Sequence, residues 1–413
     1  MMKRVMVQMR VSAGIEAVFA GRDDIECDVF TELSEDNLVQ HIGNYDGAIL
    51  GIAPFSARIV EATSKLKIVS RFGVGYDAVD VEALSRAGIP LAIAGTANSV
   101  TVAEHALMFM LALAKHTVAY DREVREGNWG IRFDAPPIDL AERTVLILGF
   151  GRIGRRLVKR CLGMDMRVLV HDPYVIQDAI ATAGAIPVED WHAALPDVDF
   201  LSVNCPKNEE TTGMVSGLEL RAMKKTAYAV NTARGGIIDE AALVEALEAG
   251  TIAGAGIDPF VVEPATPDNP LFHAPNILVS PHSAGVSEES IYRMGYWAAK
   301  NVADCFDGWT CNRIAAAYKH VVKTSRPQLG CGPRPKSLGL SQPGVIGVEG
   351  KGSWLPDRKD GRQVCARLAA CMFHETPATE GDPGMECQRA PSKFKTNCAQ
   401  KPNCAEVIRC MND

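Results

Sequence analysis

The apolar positions of this chain follow two patterns that alternate from the N-terminus to about residue 317. Short runs of apolar and β-branched residues, typical of strands covered on both faces, alternate with segments whose apolar residues recur at helical spacing. This alternation predicts βα units and parallel sheets. The first sheet is predicted to contain strands at residues 4–9, 47–50, 67–70 and 90–93, with helices at 36–42, 56–62 and 81–87. The second is predicted to contain strands at residues 144–148, 167–171, 199–203, 228–231, 254–257 and 276–280.

Two longer helices are predicted to connect these sheets. One begins after Asn98 or Ser99, both residue types that cap helix N-termini, and carries Glu104 in its early turns. The other covers residues 288–306, where small and apolar residues recur at helical spacing. We expect the first helix to pass from one domain to the other and the second to return.

A glycine-rich turn follows the first strand of the second sheet, at residues 149–154. Gly149 and Gly151 remove side chains that would block a tight turn and the close approach of a pyrophosphate, and Gly154 allows the next helix to pack on the strand. The N–H groups of that helix start, with Arg152 and Ile153 beside them, are expected to face the anion. The turn therefore predicts a dinucleotide site.

Asp172 follows the next predicted strand, residues 167–171. A carboxylate at this position accepts hydrogen bonds from the ribose hydroxyls of NAD and repels the additional phosphate of NADP. The predicted cofactor is therefore NAD.

Three polar residues follow predicted strands of this same sheet and suit alcohol oxidation. His282 can take the hydroxyl proton, because histidine is the side chain whose unperturbed pKa lies nearest neutral pH. Glu263 can hold the imidazole tautomer and stabilise the imidazolium. Arg234 has a planar guanidinium that suits a carboxylate and the adjacent C2 oxygen. In the reverse direction His282 donates the proton while NADH supplies the hydride.

Six motifs occur in one order between residues 3 and 308: RFGVGYD (71–77), TVAE (101–104), GFGRIG (149–154), NTARGG (231–236), GIDPF followed by EP (256–264) and SPHSAG (280–285). In these the chain resembles the D-2-hydroxyacid dehydrogenases, and among them it is most similar to the phosphoglycerate dehydrogenases. Pro259, in the middle of DPF, is a mild departure from the family pattern, which usually has valine at this position.

The resemblance implies roles for particular residues. It implies that Arg234, Glu263 and His282 are catalytic, and that Gly73, Val74 and Gly75 hold the substrate carboxylate together with Arg234. It implies further positions that line the cofactor: Thr101, Pro206, Thr211, Thr232 and Asp258. It also implies a homodimer that pairs through its nucleotide domain, to which the apolar helix around residues 106–114 is expected to contribute.

The expected fold is α/β, with two doubly wound parallel-sheet domains: a Rossmann-type NAD domain inserted into a flavodoxin-like substrate domain. Residues 1–98 form the first part of the substrate domain, 99–285 the NAD domain and 286–317 the returning helix. The expected activity is NAD-linked interconversion of a D-2-hydroxyacid and a 2-oxoacid, with 3-phosphoglycerate as one candidate. Formate oxidation is disfavoured, because formate dehydrogenases carry glutamine where Glu263 stands. An NAD(H)-sensing corepressor or scaffold of the same fold remains an alternative.

Composition limits the other function classes. The formal net charge of −7 over 413 residues provides no basic surface for nucleic acid. We find no apolar run of membrane-spanning length and no signal-peptide pattern at the N-terminus, so a cytoplasmic location is expected.

Residues 318–413 differ from the rest, with many Pro and Gly and weak periodicity. Their cysteines lack the CxxC pairs of a zinc site, so we expect no metal there and a poorly ordered tail that is dispensable for activity.

Overall fold

The computed structural model describes residues 2–308 and contains two parallel sheets. The first sheet has five strands: β1 (Lys3–Val7), β2 (Ile25–Val29), β3 (Gly47–Leu50), β4 (Ile68–Arg71) and β5 (Leu91–Ala92). Their order is β2-β1-β3-β4-β5, which is the order of flavodoxin-like sheets. All four pairings are parallel, so every strand points its carboxyl end to the same edge.

The second sheet has seven strands: β6 (Thr144–Leu148), β7 (Arg167–His171), β8 (Ile186–Pro187), β9 (Phe200–Val203), β10 (Tyr228–Asn231), β11 (Gly254–Ile257) and β12 (Ile277–Val279). Their order is β12-β11-β10-β9-β6-β7-β8. The direction of winding reverses between β6 and β9, and sheets of this kind bind ligands at such a switch point, outside the carboxyl ends of the strands.

Helices cover both sheets. They are α1 (Ala13–Phe19), α2 (Glu35–His41), α3 (Ala57–Glu61), α4 (Val81–Arg86), α5 (Ser99–Ala114), α6 (Thr117–Arg125), α7 (Ile131–Asp134), α8 (Arg152–Leu162), α9 (Gln177–Thr182), α10 (Trp191–Ala194), α11 (Gly217–Ala222), α12 (Glu240–Glu248) and α13 (Glu288–Phe306). Short 3₁₀ segments lie at Ile42–Asn44, Leu195–Asp197 and Pro270–His273. Local sequence sets several helix starts; for example, the Asp239 side chain accepts the N–H of Ala242, and Ser216 forms a capping box with Glu219.

The last described helix, α13, packs on the first sheet. We call the first sheet with its covering helices the first lobe, and the second sheet with its covering helices the second lobe. Ala298, Ala299 and Val302 of α13 are fully buried against Val5 and Ile49 of the first sheet. By contrast, α5 packs into the second lobe, where Phe109 sits against Gly256 of β11 at a distance that leaves no room for a Cβ atom. The chain therefore leaves the first lobe through α5 and returns to it through α13.

The predicted fold class of two doubly wound parallel sheets is confirmed, and most of the predicted strands occur within two residues of their expected bounds. The sequence pattern did not predict the edge strands β2 and β8, nor the helices α1, α6, α7 and α9 to α12. Edge strands are difficult to predict because they bury little: in β2 no residue is fully buried, and β8 has only two residues. Predicted strand 4–9 ends earlier, at Val7, where pairing with β3 stops.

Several predictions lie partly or wholly outside the described residues. The tail at 318–413 does so completely, and the returning segment 286–317 does so beyond Gly308. Within residues 2–308 no helix combines the length and hydropathy needed to cross a membrane. The same part of the chain contains no cluster of three potential metal ligands. The cellular location stays a prediction.

The contact between α1 and α13 allows a stability test. A Cβ atom on Gly14 would lie 2.0 Å from the backbone oxygen of Tyr292 and 2.6 Å from the N atom of Tyr296. Because backbone atoms cannot move aside as a side chain can, we expect Gly14→Ala to destabilise the fold by about 1–3 kcal/mol. Thermal unfolding of the variant and of the unmodified protein measures this loss of stability. Gly163→Ala is the control: its Cβ would approach nothing closer than 3.4 Å, and equal losses in both variants would contradict the packing argument.

Candidate active site

The glycine turn after β6 has the geometry that the sequence predicts. Gly149 has a φ of 102°, a conformation that disfavours any side chain. Its Cβ would also lie 2.9 Å from the backbone of Asn204 and Cys205, at the end of β9. A Cβ on Gly154 would lie 2.1 Å from the oxygen of Gly149. These two glycines therefore let helix, strand and neighbouring loop meet backbone to backbone.

The same turn leaves an anion-binding position open. Gly151 is the N-cap of α8 and makes no side-chain cap, and a Cβ at this residue would meet nothing within 4 Å. Nearby loops carry buried polar atoms without a hydrogen-bond partner among the described residues, namely the Thr232 hydroxyl and the side-chain oxygen of Asn204. Buried polar atoms of this kind are normally paired, so they fit a polar ligand at this edge. The residues present thus suit a dinucleotide.

Asp172 lies where the ribose prediction requires a carboxylate. It follows β7, and its oxygens accept the backbone N–H of Phe150 at 2.7 Å and of Tyr174 at 2.9 Å. The carboxylate is therefore fixed beside the glycine turn. The Tyr174 hydroxyl donates to Glu210, in the loop after β9, at 2.5 Å, which raises the pKa of Tyr174.

Four more of the predicted cofactor residues lie in one loop and at the starts of two helices. Pro206 and Thr211 share one loop, where the Thr211 hydroxyl donates to the Pro206 carbonyl oxygen at 2.7 Å. The Arg152 guanidinium donates to the carbonyl oxygen of Gly95 in the first lobe at 3.3 Å. Thr101, in the first turn of α5, lies 3.4 Å from the hydroxyl of Ser287. Arg152 and Thr101 therefore stand at the junction of the lobes.

His282 and Glu263 form a direct pair. Nδ1 of His282 lies 2.7 Å from Oε2 of Glu263, and the other carboxylate oxygen of Glu263 accepts the Phe260 N–H at 2.9 Å. The imidazole remains 45% exposed, so its far nitrogen can reach a substrate. His282 has a φ of 50°, which is unusual for a residue with a side chain and occurs preferentially at functional sites.

Asp258 stabilises the turn after β12 that carries His282. Its side chain is buried and accepts the N–H groups of Ser283 at 2.7 Å and Ala284 at 3.0 Å, together with the Ser280 hydroxyl at 2.5 Å. Its backbone oxygen accepts the N–H of His282 at 3.1 Å. The resemblance implied that Asp258 lines the cofactor; in the structure the described hydrogen bonds of its side chain all go to the His282 turn.

Arg234 lies in a tight turn after β10. Asn231 fixes this turn by donating to the Arg234 carbonyl oxygen at 2.8 Å and accepting the Ala233 N–H at 3.0 Å. A Cβ on Gly235 would lie 2.1 Å from the carbonyl group of Phe260. The turn that carries Arg234 therefore touches Phe260, the residue whose N–H orients Glu263, and the structure brings the three predicted catalytic residues to one edge.

The guanidinium of Arg234 reaches into the first lobe. Its Nε donates to Asp77 at 2.8 Å, and its Nη2 lies so close to Gly75 that a Cβ there would be only 1.9 Å away. The Gly75 carbonyl oxygen accepts a hydrogen bond from Arg71 at 2.7 Å. Burial, followed by the charge of Arg234, lowers the pKa of Arg71 to about 10. The predicted carboxylate loop, Gly73 to Gly75, is thus held beside Arg234.

Sequence reasoning did not single out Asp77, Arg71, Ser280 or Asn231 as site residues. All four belong to or adjoin the motifs quoted above, but only the fold reveals their partners. The Asp77 to Arg234 ion pair, for example, joins residues 157 positions apart.

Comparisons with known proteins agree with this geometry. Residues 107–284 match the family model described as the D-isomer specific 2-hydroxyacid dehydrogenase, NAD binding domain. The glyoxylate reductase of Korarchaeum cryptofilum is 38% identical over 254 residues, which cover 60% of this chain and 76% of that protein. The chain belongs to the D-isomer specific 2-hydroxyacid dehydrogenase family.

Two further relatives show how far the likeness within this family extends. The D-3-phosphoglycerate dehydrogenase of Archaeoglobus fulgidus is 34% identical over 288 residues, covering 70% of this chain and 54% of that protein. The chain thus spans about half the length of this relative. A crystal structure of the NAD-dependent formate dehydrogenase of Staphylococcus aureus in complex with NAD has a TM-score of 0.64 at 28% identity, covering 74% of this chain and 96% of that one.

Proposed function

We propose that this protein is an NAD-dependent dehydrogenase that interconverts a D-2-hydroxyacid and its 2-oxoacid. The observation that carries the proposal is the 2.7 Å pair of His282 and Glu263, at the sheet edge that also bears the Arg234 turn. A general base, a residue that orients it and a carboxylate-binding cation are the groups that this reaction requires.

His282 is proposed as the acid and base of the reaction. With Nδ1 directed at Glu263, the exposed Nε2 takes the C2 hydroxyl proton in oxidation and returns it in reduction. Glu263 orients the ring and stabilises its charged form, because a carboxylate within hydrogen-bond distance favours the imidazolium. A nicotinamide bound at the glycine turn supplies the hydride acceptor.

Arg234 is proposed to bind the substrate carboxylate and the C2 oxygen. Its guanidinium lies against Gly75, so backbone N–H groups around Val74 and Gly75 can contact the same anion. In the described structure the guanidinium also bonds Asp77. Asp77 therefore holds the cation at the lobe boundary, where an anionic substrate would meet it.

An assay of NADH oxidation with a panel of 2-oxoacids tests the activity and identifies the substrate. Glyoxylate, hydroxypyruvate, pyruvate, phenylpyruvate and phosphohydroxypyruvate differ in the size and charge of the group attached to the carbonyl carbon C2, which in glyoxylate is only a hydrogen. The named relatives motivate the first and last of these compounds. We expect NADH oxidation with at least one member. NADH binding without turnover on any of them would contradict the dehydrogenase proposal and favour the NAD(H)-sensing alternative.

Replacing the proposed base tests the chemistry. His282→Ala is expected to lower kcat by about 100- to 10,000-fold, because it removes proton transfer. NADH affinity, measured by fluorescence quenching, should remain nearly unchanged, since the phosphate turn is intact. Glu263→Gln should also lower kcat, but less than His282→Ala does, because the amide leaves the base in place and no longer fixes its tautomer as a carboxylate does. A fully active His282→Ala enzyme would exclude this mechanism.

Asp172 tests cofactor choice. We expect the unmodified enzyme to prefer NADH over NADPH in kcat/KM, and Asp172→Ala to reduce that preference through weaker NADH binding and lost repulsion of the phosphate. Asp178→Ala is a matched control, because this carboxylate lies in the first turn of α9 in the same lobe and, unlike Asp172, makes no described hydrogen bond to the glycine turn. Equal efficiency with both cofactors in the unmodified enzyme would refute the assignment.

We also propose a homodimer formed through α6 and α7. The apolar face of α5, expected to contribute, is largely buried within its own chain, whereas α6 and α7 contain no buried residue. Val118, Trp129 and Phe133 in and between these helices are 62%, 66% and 76% exposed. Adjacent exposed aromatic side chains suit a subunit interface.

Light scattering after size exclusion tests the dimer. We expect twice the chain mass for the unmodified protein and a monomer for Trp129→Ser combined with Phe133→Ser, because both changes remove apolar contact area. Ile52→Ser, which changes an 89% exposed apolar residue of the first lobe, should leave the mass unchanged. A dimer that survives the double substitution would place the interface elsewhere.

A further inference from the structure

A polar chain of three side chains connects α5 to the turn that carries His282. Nε2 of His105 lies 2.9 Å from the Ser280 hydroxyl, and that hydroxyl donates to Oδ1 of Asp258 at 2.5 Å. His105 belongs to α5, the helix that leaves the first lobe, whereas Ser280 and Asp258 follow β12 and β11. The proposed mechanism uses none of the three directly.

The donors in this chain can be assigned from hydrogen-bond capacity. A serine hydroxyl has one proton, and Ser280 gives it to Asp258. Its oxygen can therefore only accept from His105, so Nε2 of His105 must carry a proton. Burial lowers the pKa of His105, in keeping with a neutral ring that is protonated at Nε2. Its ring is also fixed by an edge contact with Phe109, at a centroid distance of 4.7 Å.

The Asp258 carboxylate at the end of this chain determines the path of the turn. It holds the N–H groups of Ser283 and Ala284, the two residues that follow His282. The left-handed backbone of His282 persists only if its surroundings enforce it, because such conformations cost on the order of 1–3 kcal/mol. A rotation of the Asp258 carboxylate would loosen both N–H bonds and tilt the imidazole.

We propose that His105 is a positioning residue: by donating to Ser280 it locks the Asp258 carboxylate and thereby holds His282 in the orientation that proton transfer requires. This inference rests on the proposed dehydrogenase function. It assigns to α5 a role in catalysis as well as in linking the lobes, and His105 itself touches no reacting atom.

Three variants separate this role from general stability. His105→Leu removes the donor, Ser280→Ala removes the middle member, and His105→Gln keeps an N–H donor at a comparable distance from the backbone. We expect kcat to fall about 10- to 100-fold in the first two, since small misplacements of a catalytic group are costly. KM for NADH should change less than twofold. The variant that combines His105→Leu with Ser280→Ala should have a kcat no lower than that of either single variant. His105→Gln should retain most of the kcat of the unmodified enzyme.

A further measurement and a control variant make the result decisive. Hydrogen exchange of a peptide covering residues 280–284 should be faster in His105→Leu than in the unmodified protein, because the Ser283 and Ala284 N–H groups lose their fixed acceptor. His192→Leu, an exposed histidine of the same lobe, is the control and should change neither exchange nor kcat. If His105→Leu does not fold, Ser280→Ala and His105→Gln carry the same comparison.

The outcomes distinguish this inference from the proposed function. An unmodified enzyme that turns over no oxoacid rejects the dehydrogenase proposal, whereas the exchange experiment still shows whether His105 fixes the turn. An active enzyme in which His105→Leu retains full kcat overturns the positioning role. So does a defect that His105→Gln fails to repair, or equal losses in kcat and NADH affinity.

Discussion

Parallel strand pairing is the constraint on which the rest of this molecule depends. Because every described strand of both sheets runs in one direction within its sheet, each loop that follows a strand is delivered to the same edge. The glycine turn, the Arg234 turn, the Glu263 loop and the His282 turn follow four different strands of one sheet. Residues far apart in sequence therefore meet without any long connection having to reach across the domain.

Backbone contact at glycine positions converts this general placement into a defined geometry. Gly154 touches the carbonyl of Gly149, and Gly235 touches the carbonyl of Phe260, at distances that no Cβ atom would allow. Each contact fixes one loop against the next with the rigidity of the main chain. Hydrogen bonds then orient the side chains, as Phe260 does for Glu263. The site is thus built from the backbone outwards.

The sequence was sufficient for the fold class and the glycine turn, because both depend on local patterns: apolar strands, turn residues and helix caps. Motif resemblance located His282 and Glu263, and the structure pairs them. The partners of Arg234 were not predictable from spacing, since Asp77 lies in the other lobe. Asp258 illustrates a second limit. A motif identifies a position, but only the fold shows that its carboxylate faces the turn.

The return of α13 to the first sheet also determines the order in which the two lobes can be completed during synthesis. The second lobe is continuous in sequence and has its whole core, α5 included, once β12 has left the ribosome. The first sheet is made earlier, yet the apolar face that contains Val5 and Ile49 is covered only in part, by α1, until Ala298 and Val302 arrive. The lobe that is translated first is therefore the lobe that finishes folding last, and until then its exposed sheet face is the surface a chaperone would have to shield.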